Sequence, residues 1–171
     1  MPAPDHDDSF LEPDLDDVDL NFFLQPDLTD LTPIDVLTGA IDAIENYGWA
    51  QGDYAEPGTG EVCLVGAMAC GGNYDQELAL SALHSGYLTP LGIRGPLLEP
   101  ADDDPRFQAL TYLHRVIFGH SGFVISDLTR WNDDLDRTRD EVVEVLHDAL
   151  DHARSHYNAH GHHGPCSRPN W

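Results

Sequence analysis

The chain has 171 residues, of which 31 are acidic and 8 basic, so its formal net charge is −23. It contains no lysine, and its first basic side chain is Arg94. Nucleic-acid binders neutralise phosphates with lysine or arginine, so this composition argues against direct binding to DNA or RNA and against docking on anionic membranes. It favours a basic partner, either a cationic protein surface or a metal ion. The simpler interpretation is that the charge only keeps the protein in solution.

The length suits one domain with appendages. No apolar run approaches the roughly 20 residues that span a bilayer, and the N-terminus lacks the basic and apolar regions of a signal peptide. The cysteines are odd in number and lie at no zinc-finger spacing. We therefore expect a cytoplasmic protein with reduced thiols.

Residues 1–31 form a predicted arm that mixes acidic and apolar residues. Its charge density opposes collapse, and such mixtures are typical of disordered segments that become ordered on a partner. The alternative is that residues 20–24 pack on the protein's own core. The residues expected to contact a partner are Phe10, Leu11, Leu15, Leu20, Phe22 and Phe23, with Asp14, Asp16 and Asp17.

The first predicted helix has a well-marked start and end. Thr32 can cap it, Pro33 suits its first position, and Asp35 lies where a carboxylate favours the helix dipole. Apolar residues then recur at helical spacing as far as Tyr47, and Gly48 ends the helix.

The second and third predicted helices are short. Residues 61–70 are apolar nearly all round, which is typical of a buried helix. Asn73 is the predicted cap of a third helix that runs to about His84, with Gln76 in the capping-box position. Residues 85–103 are rich in glycine and proline and predict a long irregular loop.

The second half of the chain predicts three more helical segments. Asp104 and Pro105 repeat the pattern of a cap followed by proline, and Gly119 ends the fourth helix. A short helical turn is expected over residues 124–131. The last helix begins at a capping box, Thr138-Arg-Asp-Glu.

These elements predict a mainly α protein. We expect a compact domain of four to five helices over residues 32–155, preceded by an acidic, disordered arm over 1–31 and followed by a His-, Pro- and Gly-rich tail over 156–171. The only β-branched run, residues 123–125, is short.

The C-terminal histidines are candidate ligands for a divalent transition metal such as zinc. His152, His156 and His160 lie four residues apart and would project from one helix face, with His163 following. Histidines at this spacing can bind zinc, copper or nickel through imidazole nitrogen. The competing interpretation is a solvated tail that binds no metal, and the His-Glu-x-x-His pattern of metalloproteases is absent.

Other reactive side chains favour structural roles. Cys63 and Cys70 lie on the apolar second helix, where a buried thiol is usually inert. His114 and His120 could supply acid–base groups, but a histidine within a helix is more often simply packed. The chain has no phosphate-binding loop, dinucleotide-binding glycine motif or nucleophile elbow, so no catalytic residue is predicted.

The turn formed by Trp131, Asn132 and Asp133 is the most individual local feature. We expect Trp131 to pack inward while the Asn and Asp side chains bond the backbone of their own turn. The alternative is that these three residues line a polar pocket.

Three segments carry a resemblance to a known family. They are Gly48-Trp-Ala-Gln-Gly52, Cys63-Leu-Val-Gly-Ala67, and Trp131-Asn-Asp133 followed by Arg137-Thr-Arg-Asp-Glu-Val142. In order and spacing they resemble an uncharacterised family of small proteins of actinobacteria and their phages, over about residues 34–153. Family members often carry tryptophan where this chain has Val62. The resemblance implies a compact helical domain and brings no established activity.

The preferred functional hypothesis is a non-enzymatic module that binds a basic protein, such as a nucleic-acid-binding protein whose DNA surface it would occupy. A phage or mobile-element accessory role is consistent with the resemblance. Two alternatives remain open. One is a metal-binding protein or small enzyme that uses the C-terminal histidines or a pocket near Trp131 and Asn132. The other is a structural subunit of a virion or similar assembly.

Overall fold

The computed structural model describes residues 31–73, 76–84, 88–89, 92–93, 104–120 and 125–160. Their helices are α1 (Pro33–Tyr47), α2 (Leu64–Gly71), α3 (Gln76–His84), α4 (Pro105–Phe118), α5 (Ile125–Asn132) and α6 (Arg139–His160). The strands are β1 (Leu88–Thr89) and β2 (Gly92–Ile93). The predicted mainly α, compact domain is confirmed. Four to five helices were expected, and the described part of the chain has six. The number is higher because both short segments, α3 and α5, are helices.

Helix α1 begins and ends where the sequence predicted. The Thr32 hydroxyl accepts a hydrogen bond from the Asp35 amide (3.2 Å), and the Asp35 carboxylate accepts one from the Thr32 amide (2.9 Å). This reciprocal capping box satisfies two amide groups at the helix start. Gly48 ends the helix at a φ of 95°, and its amide donates to the carbonyl of Ile44. A left-handed φ of this kind favours glycine.

Helix α2 starts later than predicted because Val62 has a different partner. Its amide donates to the Gly48 carbonyl and its carbonyl accepts from Ala50, both at 3.1 Å. A backbone paired in this extended way cannot also join a helix. The helix therefore begins at Leu64, and Cys63 caps it by accepting from the Gly66 amide through Sγ (3.3 Å). The prediction that this helix is buried is confirmed, since all eight of its residues are buried.

Glycines allow α1 and α2 to cross at very short range. A Cβ atom added to Gly71 would overlap the Val36 carbonyl oxygen, and one added to Gly39 would lie 2.8 Å from the Gly71 Cα atom. A Cβ at Gly66 would overlap the Tyr54 carbonyl oxygen. Backbone therefore passes directly over backbone at two points of α2, the loop at Tyr54 over Gly66 and α1 over Gly71.

The start of α3 and the loop after it differ from the predictions. The described part of α3 begins at Gln76, whose side-chain amide donates to the Gly39 carbonyl (3.0 Å), while the Asn73 side chain donates back to Ala69. Neither side chain forms the predicted capping box. Within the predicted irregular loop, β1 and β2 pair antiparallel, with Leu88 opposite Ile93.

The later helices follow their sequence signals closely. Asp104 caps α4 by accepting from the Arg106 amide (2.8 Å), and Gly119 ends that helix at a φ of 72°. The capping box of α6 is formed as predicted, with Thr138 and Glu141 each accepting from the other's amide. Helix α6 continues past residue 155, the predicted end of the helical domain, to His160.

The core lies among the packed faces of the helices. Helix α1 packs against α2, α4 and α6, while α2 also packs against α3 and α5. The largest fully buried side chains include Leu37, Ile44, Leu64, Met68, Leu110, Leu113, Leu128 and Leu146. In the described part of the chain, no helix has both the length and the apolar character required to cross a bilayer.

Candidate functional site

A buried asparagine joins three distant segments of the chain. Asn132 is fully buried, and its Oδ1 accepts hydrogen bonds from Trp49 Nε1 (2.8 Å) and from the Leu64 amide (3.0 Å). Its Nδ2 donates to the Ala50 carbonyl (3.3 Å) and to Asp133 Oδ1 (2.9 Å). A side-chain amide offers two acceptor and two donor positions, so all four are used inside the protein.

The residues next to Asn132 also form hydrogen bonds with the loop over residues 49–52. Asp133 Oδ1 accepts from the Gly52 amide at 2.9 Å. Gln51 Nε2 donates to the carbonyls of Asn132 (2.9 Å) and Asp134 (2.7 Å). We call the contacts between residues 49–52, Leu64 and residues 131–137 the polar junction. It fixes the turn before α6 against the loop after α1.

An arginine closes the outer side of the polar junction. The guanidinium carbon of Arg137 lies 3.8 Å from the centre of the Trp131 ring, and its Nε donates to the Trp131 carbonyl (3.2 Å). Arg137 Nη1 also lies 3.5 Å from Glu141 Oε1. Hydrogen bonds from the backbone and hydroxyl of Thr138 hold the pKa of Glu141 below its ordinary value, with a smaller contribution from Arg137.

The polar junction differs from what the sequence suggested for Trp131, Asn132 and Asp133. The two polar side chains were expected to bond their own turn, but they mainly bond the loop over residues 49–52 and the start of α2. Every hydrogen-bonding group of Asn132 is used by the protein, and a guanidinium lies over Trp131. The arrangement is thus a structural joint, in which Asn132 offers no group to a ligand.

Sequence reasoning missed Trp49 and Gln51 as members of this site. Both lie in one of the segments that carried the family resemblance, and those segments meet at the polar junction. That resemblance was the available signal. Nothing in local spacing indicates that Trp49 contacts a residue 83 positions later.

Carboxylates outnumber arginines in the described part of the chain, and most of those arginines are paired with a carboxylate. The described residues include 17 carboxylates and 6 arginines, a net charge of −11. Five of those arginines lie within 4.0 Å of a carboxylate of the same chain, namely Arg106, Arg130, Arg137, Arg139 and Arg154. Most of the cations on this surface are therefore already paired internally.

The outer faces of α1 and α6 carry the excess negative charge. Asp42 and Glu45 on α1 and Glu144 and Asp148 on α6 are exposed. None of these four forms an ion pair with another residue among those that the structure describes. Since α1 and α6 pack against each other, two neighbouring helices present carboxylates to solvent.

The C-terminal histidines lie partly against α4. Tyr112 packs its ring near both His152 and His156, with ring centres 5.6 and 5.9 Å away, and its hydroxyl is 3.1 Å from His156 Nδ1. The described residues contain no group of three or more metal-ligating side chains. The side chain of His160 and all of His163 lie outside those residues, so the zinc hypothesis stays a prediction.

The cysteines on the described chain are poor nucleophiles. Burial raises the pKa of the Cys63 thiol to about 11, although the Gly66 amide opposes this, and burial raises that of Cys70 to about 12. Both thiols are therefore protonated near neutral pH, and a thiol is a far weaker nucleophile than a thiolate. The predicted core positions are confirmed, with the difference that Cys63 precedes the helix rather than lying on it.

His114 is a core residue. It is 1% exposed, its ring centre lies 4.6 Å from that of Phe118 and 5.2 Å from that of His120, and its Nε2 is 3.7 Å from Asp127 Oδ2. A ring so enclosed cannot contact a substrate in solution. The predicted partner-binding residues of the arm, from Phe10 to Phe23, lie outside the described residues.

The comparisons with known proteins give one match. Neither the curated proteins nor the solved structures contain a significant relative of this chain. A family model described as "Family of unknown function (DUF6197)" matches residues 28–152, which include every helix from α1 to α5 and most of α6. The chain is therefore a member of the DUF6197 family.

Proposed function

We propose that this protein is an acidic interaction module that binds a basic protein. The observation that supports this most is the pairing of the arginines: five of the six described ones have a carboxylate of the same chain as partner, while carboxylates on α1 and α6 remain exposed. A surface of this kind attracts cations and repels phosphate. The partner class that fits is a nucleic-acid-binding protein whose DNA-contacting surface becomes occupied.

The rigid helical core favours binding through a fixed surface. Asp42 and Glu45 lie on a helix whose other face is packed in the core, and so do Glu144 and Asp148. Charges on rigid helices keep their spacing when the partner arrives, so little conformational entropy is lost on binding. Complementary charge of this kind mainly raises the association rate and the specificity.

The N-terminal arm extends the proposal beyond the described residues. It carries ten carboxylates without a cation, together with the apolar side chains from Phe10 to Phe23. We propose that the arm adds apolar contacts to an encounter that the charges guide. A role as an accessory protein of a phage or mobile element is part of the same proposal.

The test is a binding measurement with a defined class of prey. Full-length protein is immobilised and exposed to the heparin-retained proteins of a cell extract, and each retained protein is then purified and titrated at 50 and 500 mM salt. We expect a saturable complex whose affinity falls steeply with salt, because long-range attraction between exposed charges is screened.

Matched variants link the binding to the acidic helices. The double variant Glu144→Gln/Asp148→Asn removes two exposed charges and should weaken the complex. Ser155→Ala, at another exposed position of the same helix, removes no charge and should leave the complex unchanged. Affinity that does not depend on salt, or tight binding of the protein to a bare DNA duplex, would overturn the proposal.

A further inference from the structure

Two large apolar side chains are exposed in the described part of the chain, and each lies close in sequence to the polar junction. Leu135 is 94% exposed and Tyr54 is 36% exposed. The Gly52 amide donates to Asp133 Oδ1 (2.9 Å). Tyr54 follows the donor by two residues, and Leu135 follows the acceptor by two. The polar junction thus brings the two segments that carry these side chains together.

The backbone around Leu135 is held in place on both sides. The Asp134 carbonyl accepts from Gln51 Nε2 (2.7 Å) and from the Arg137 amide (2.9 Å). The Asp136 amide donates to Asp134 Oδ1 (3.1 Å). Leu135 is therefore presented on a fixed turn, and a side chain on a fixed turn loses less conformational freedom on binding than one on a mobile loop.

The charge around Leu135 is negative. The four carboxylates of Asp53, Asp133, Asp134 and Asp136 are exposed. The cation next in the chain, Arg137, lies over the Trp131 ring and beside Glu141. An apolar contact surrounded by carboxylates is complementary to an apolar recess surrounded by lysines or arginines.

We propose that Leu135 and Tyr54 form the docking surface for the basic protein partner, with Leu135 entering an apolar recess of that partner. This inference rests on the proposed function and names where the partner makes its apolar contact, while the carboxylates on the outer faces of α1 and α6 guide its approach through their charge. The chain's own N-terminal arm is a poor occupant, because residues 1–30 carry ten carboxylates and no cation and would meet carboxylates of the same sign.

Site-specific photo-crosslinking tests the docking surface and identifies the partner in the same experiment. The photoreactive residue benzoylphenylalanine replaces Leu135 in the full-length chain, and in a control it replaces Thr38, an exposed position of α1 between Asp35 and Asp42. Both proteins are irradiated in the same extract. We expect a discrete product with a basic protein from position 135, lost at 500 mM salt, and little product from position 38.

Competition by unlabelled protein measures the contribution of Leu135. Wild-type protein should suppress the crosslink. The Leu135→Ser variant should require a concentration at least about tenfold higher for the same suppression, as expected when one buried leucine is removed from an interface. Since Leu135 packs against little, this variant should unfold like wild type. Asp136→Lys should also compete poorly at 50 mM salt, and its deficit should shrink at 500 mM.

The outcomes separate the two proposals. Equal products from positions 135 and 38, or products from position 38 alone, would leave the acidic module in place and overturn the docking surface. A crosslink from position 135 to the same chain, or to an acidic protein, would also overturn the docking surface. No intermolecular product from position 135 would overturn the docking surface, and the absence of any salt-sensitive complex in the titration would contradict both.

Discussion

The two ends of α2 are held by opposite kinds of contact. At its start, Leu64 donates its amide to the buried Asn132, within a network of directed hydrogen bonds. At its end, Gly71 lies so close to α1 that a single methyl group would overlap the Val36 carbonyl oxygen. At the start, directed donors and acceptors add to the close backbone approach at Gly66, whereas at the end the close approach to α1 requires that Gly71 has no side-chain atoms.

This difference shows how a short helix with no polar face acquires a single position. Apolar burial stabilises α2 but has no direction, so it does not fix the helix along or around its axis. The glycine crossing sets the distance to α1, and the polar junction sets the rotation and the register. Disturbing the crossing should therefore affect stability alone, whereas disturbing the junction should also move the turn that carries Leu135.

The largest effect is expected from Gly71→Ala. The added methyl group overlaps backbone of α1 on a helix without room to shift, so the free energy of unfolding should fall by about 3 kcal/mol or more. Denaturant unfolding measures this. Gly72→Ala is the matched comparison, because a Cβ atom there meets side-chain rather than backbone atoms, Arg106 Cγ and Cδ at 2.9 Å, so its loss should be smaller. Equal losses from both variants would show that the crossing is not tight.

The next largest effect is expected from Asn132→Ala. It leaves the Trp49 indole and the Leu64 amide without their acceptor in a buried place, and we expect a loss of about 2 to 3 kcal/mol. Asn132→Asp keeps the acceptor oxygen but places a carboxyl group beside that of Asp133. Its pKa should rise on folding, so this variant should be less destabilised at pH 4 than at pH 7. A loss independent of pH would contradict this account.

A smaller effect is expected from Arg137→Lys. The lysine keeps the charge but cannot place a flat guanidinium over Trp131 while donating to its carbonyl, so about 1 kcal/mol of stability should be lost. Tryptophan fluorescence should report the change near Trp131. Arg130→Lys is the control for the same exchange at an exposed position, where no ring of the described residues is stacked on the guanidinium. Unchanged stability and fluorescence would show that the stacking adds nothing.

The smallest effect is expected from Glu141→Gln, and it depends on pH. The pKa of Glu141 is lowered from an ordinary value of 4.5 on folding, mainly by the Thr138 amide, so its contribution to stability is present above that value. The contribution is lost as the pH falls through the lowered pKa. The deficit of the variant should therefore be largest at neutral pH and shrink below pH 4.5. Glu144→Gln controls for the loss of one charge, and a deficit that grows with acid would contradict the assignment.

The sequence was sufficient wherever a structure depends on neighbours in the chain. The cap at Thr32, the capping box at Thr138, the start of α4 at Asp104 and the glycine ends of α1 and α4 all involve residues within four positions of each other. The predicted burial of α2 followed from its own residues, whatever their partners. Composition alone gave the shortage of cations on which the proposed function rests.

Predictions failed where a residue had a better partner far away. Gln76 was expected to cap its own helix, but its amide bonds the Gly39 carbonyl, 37 positions earlier. Val62 was placed inside α2, but its backbone pairs with Gly48 and Ala50. In each case a tertiary contact that also satisfies partly buried backbone groups outweighed a local preference worth about 1 kcal/mol.

The sequence by itself determined where most helices begin and end, that one of them is buried, and that the chain carries a large excess of negative charge, because these properties follow from neighbouring residues and from summed charge. Only the tertiary structure decided that Asn132 joins Trp49 and Leu64, that Gly39 and Gly71 must lack side chains, and that Leu135 is left in solvent. Hydrogen bonds that span 68 and 83 positions leave no periodic trace in the sequence, since their geometry exists only after the helices have packed.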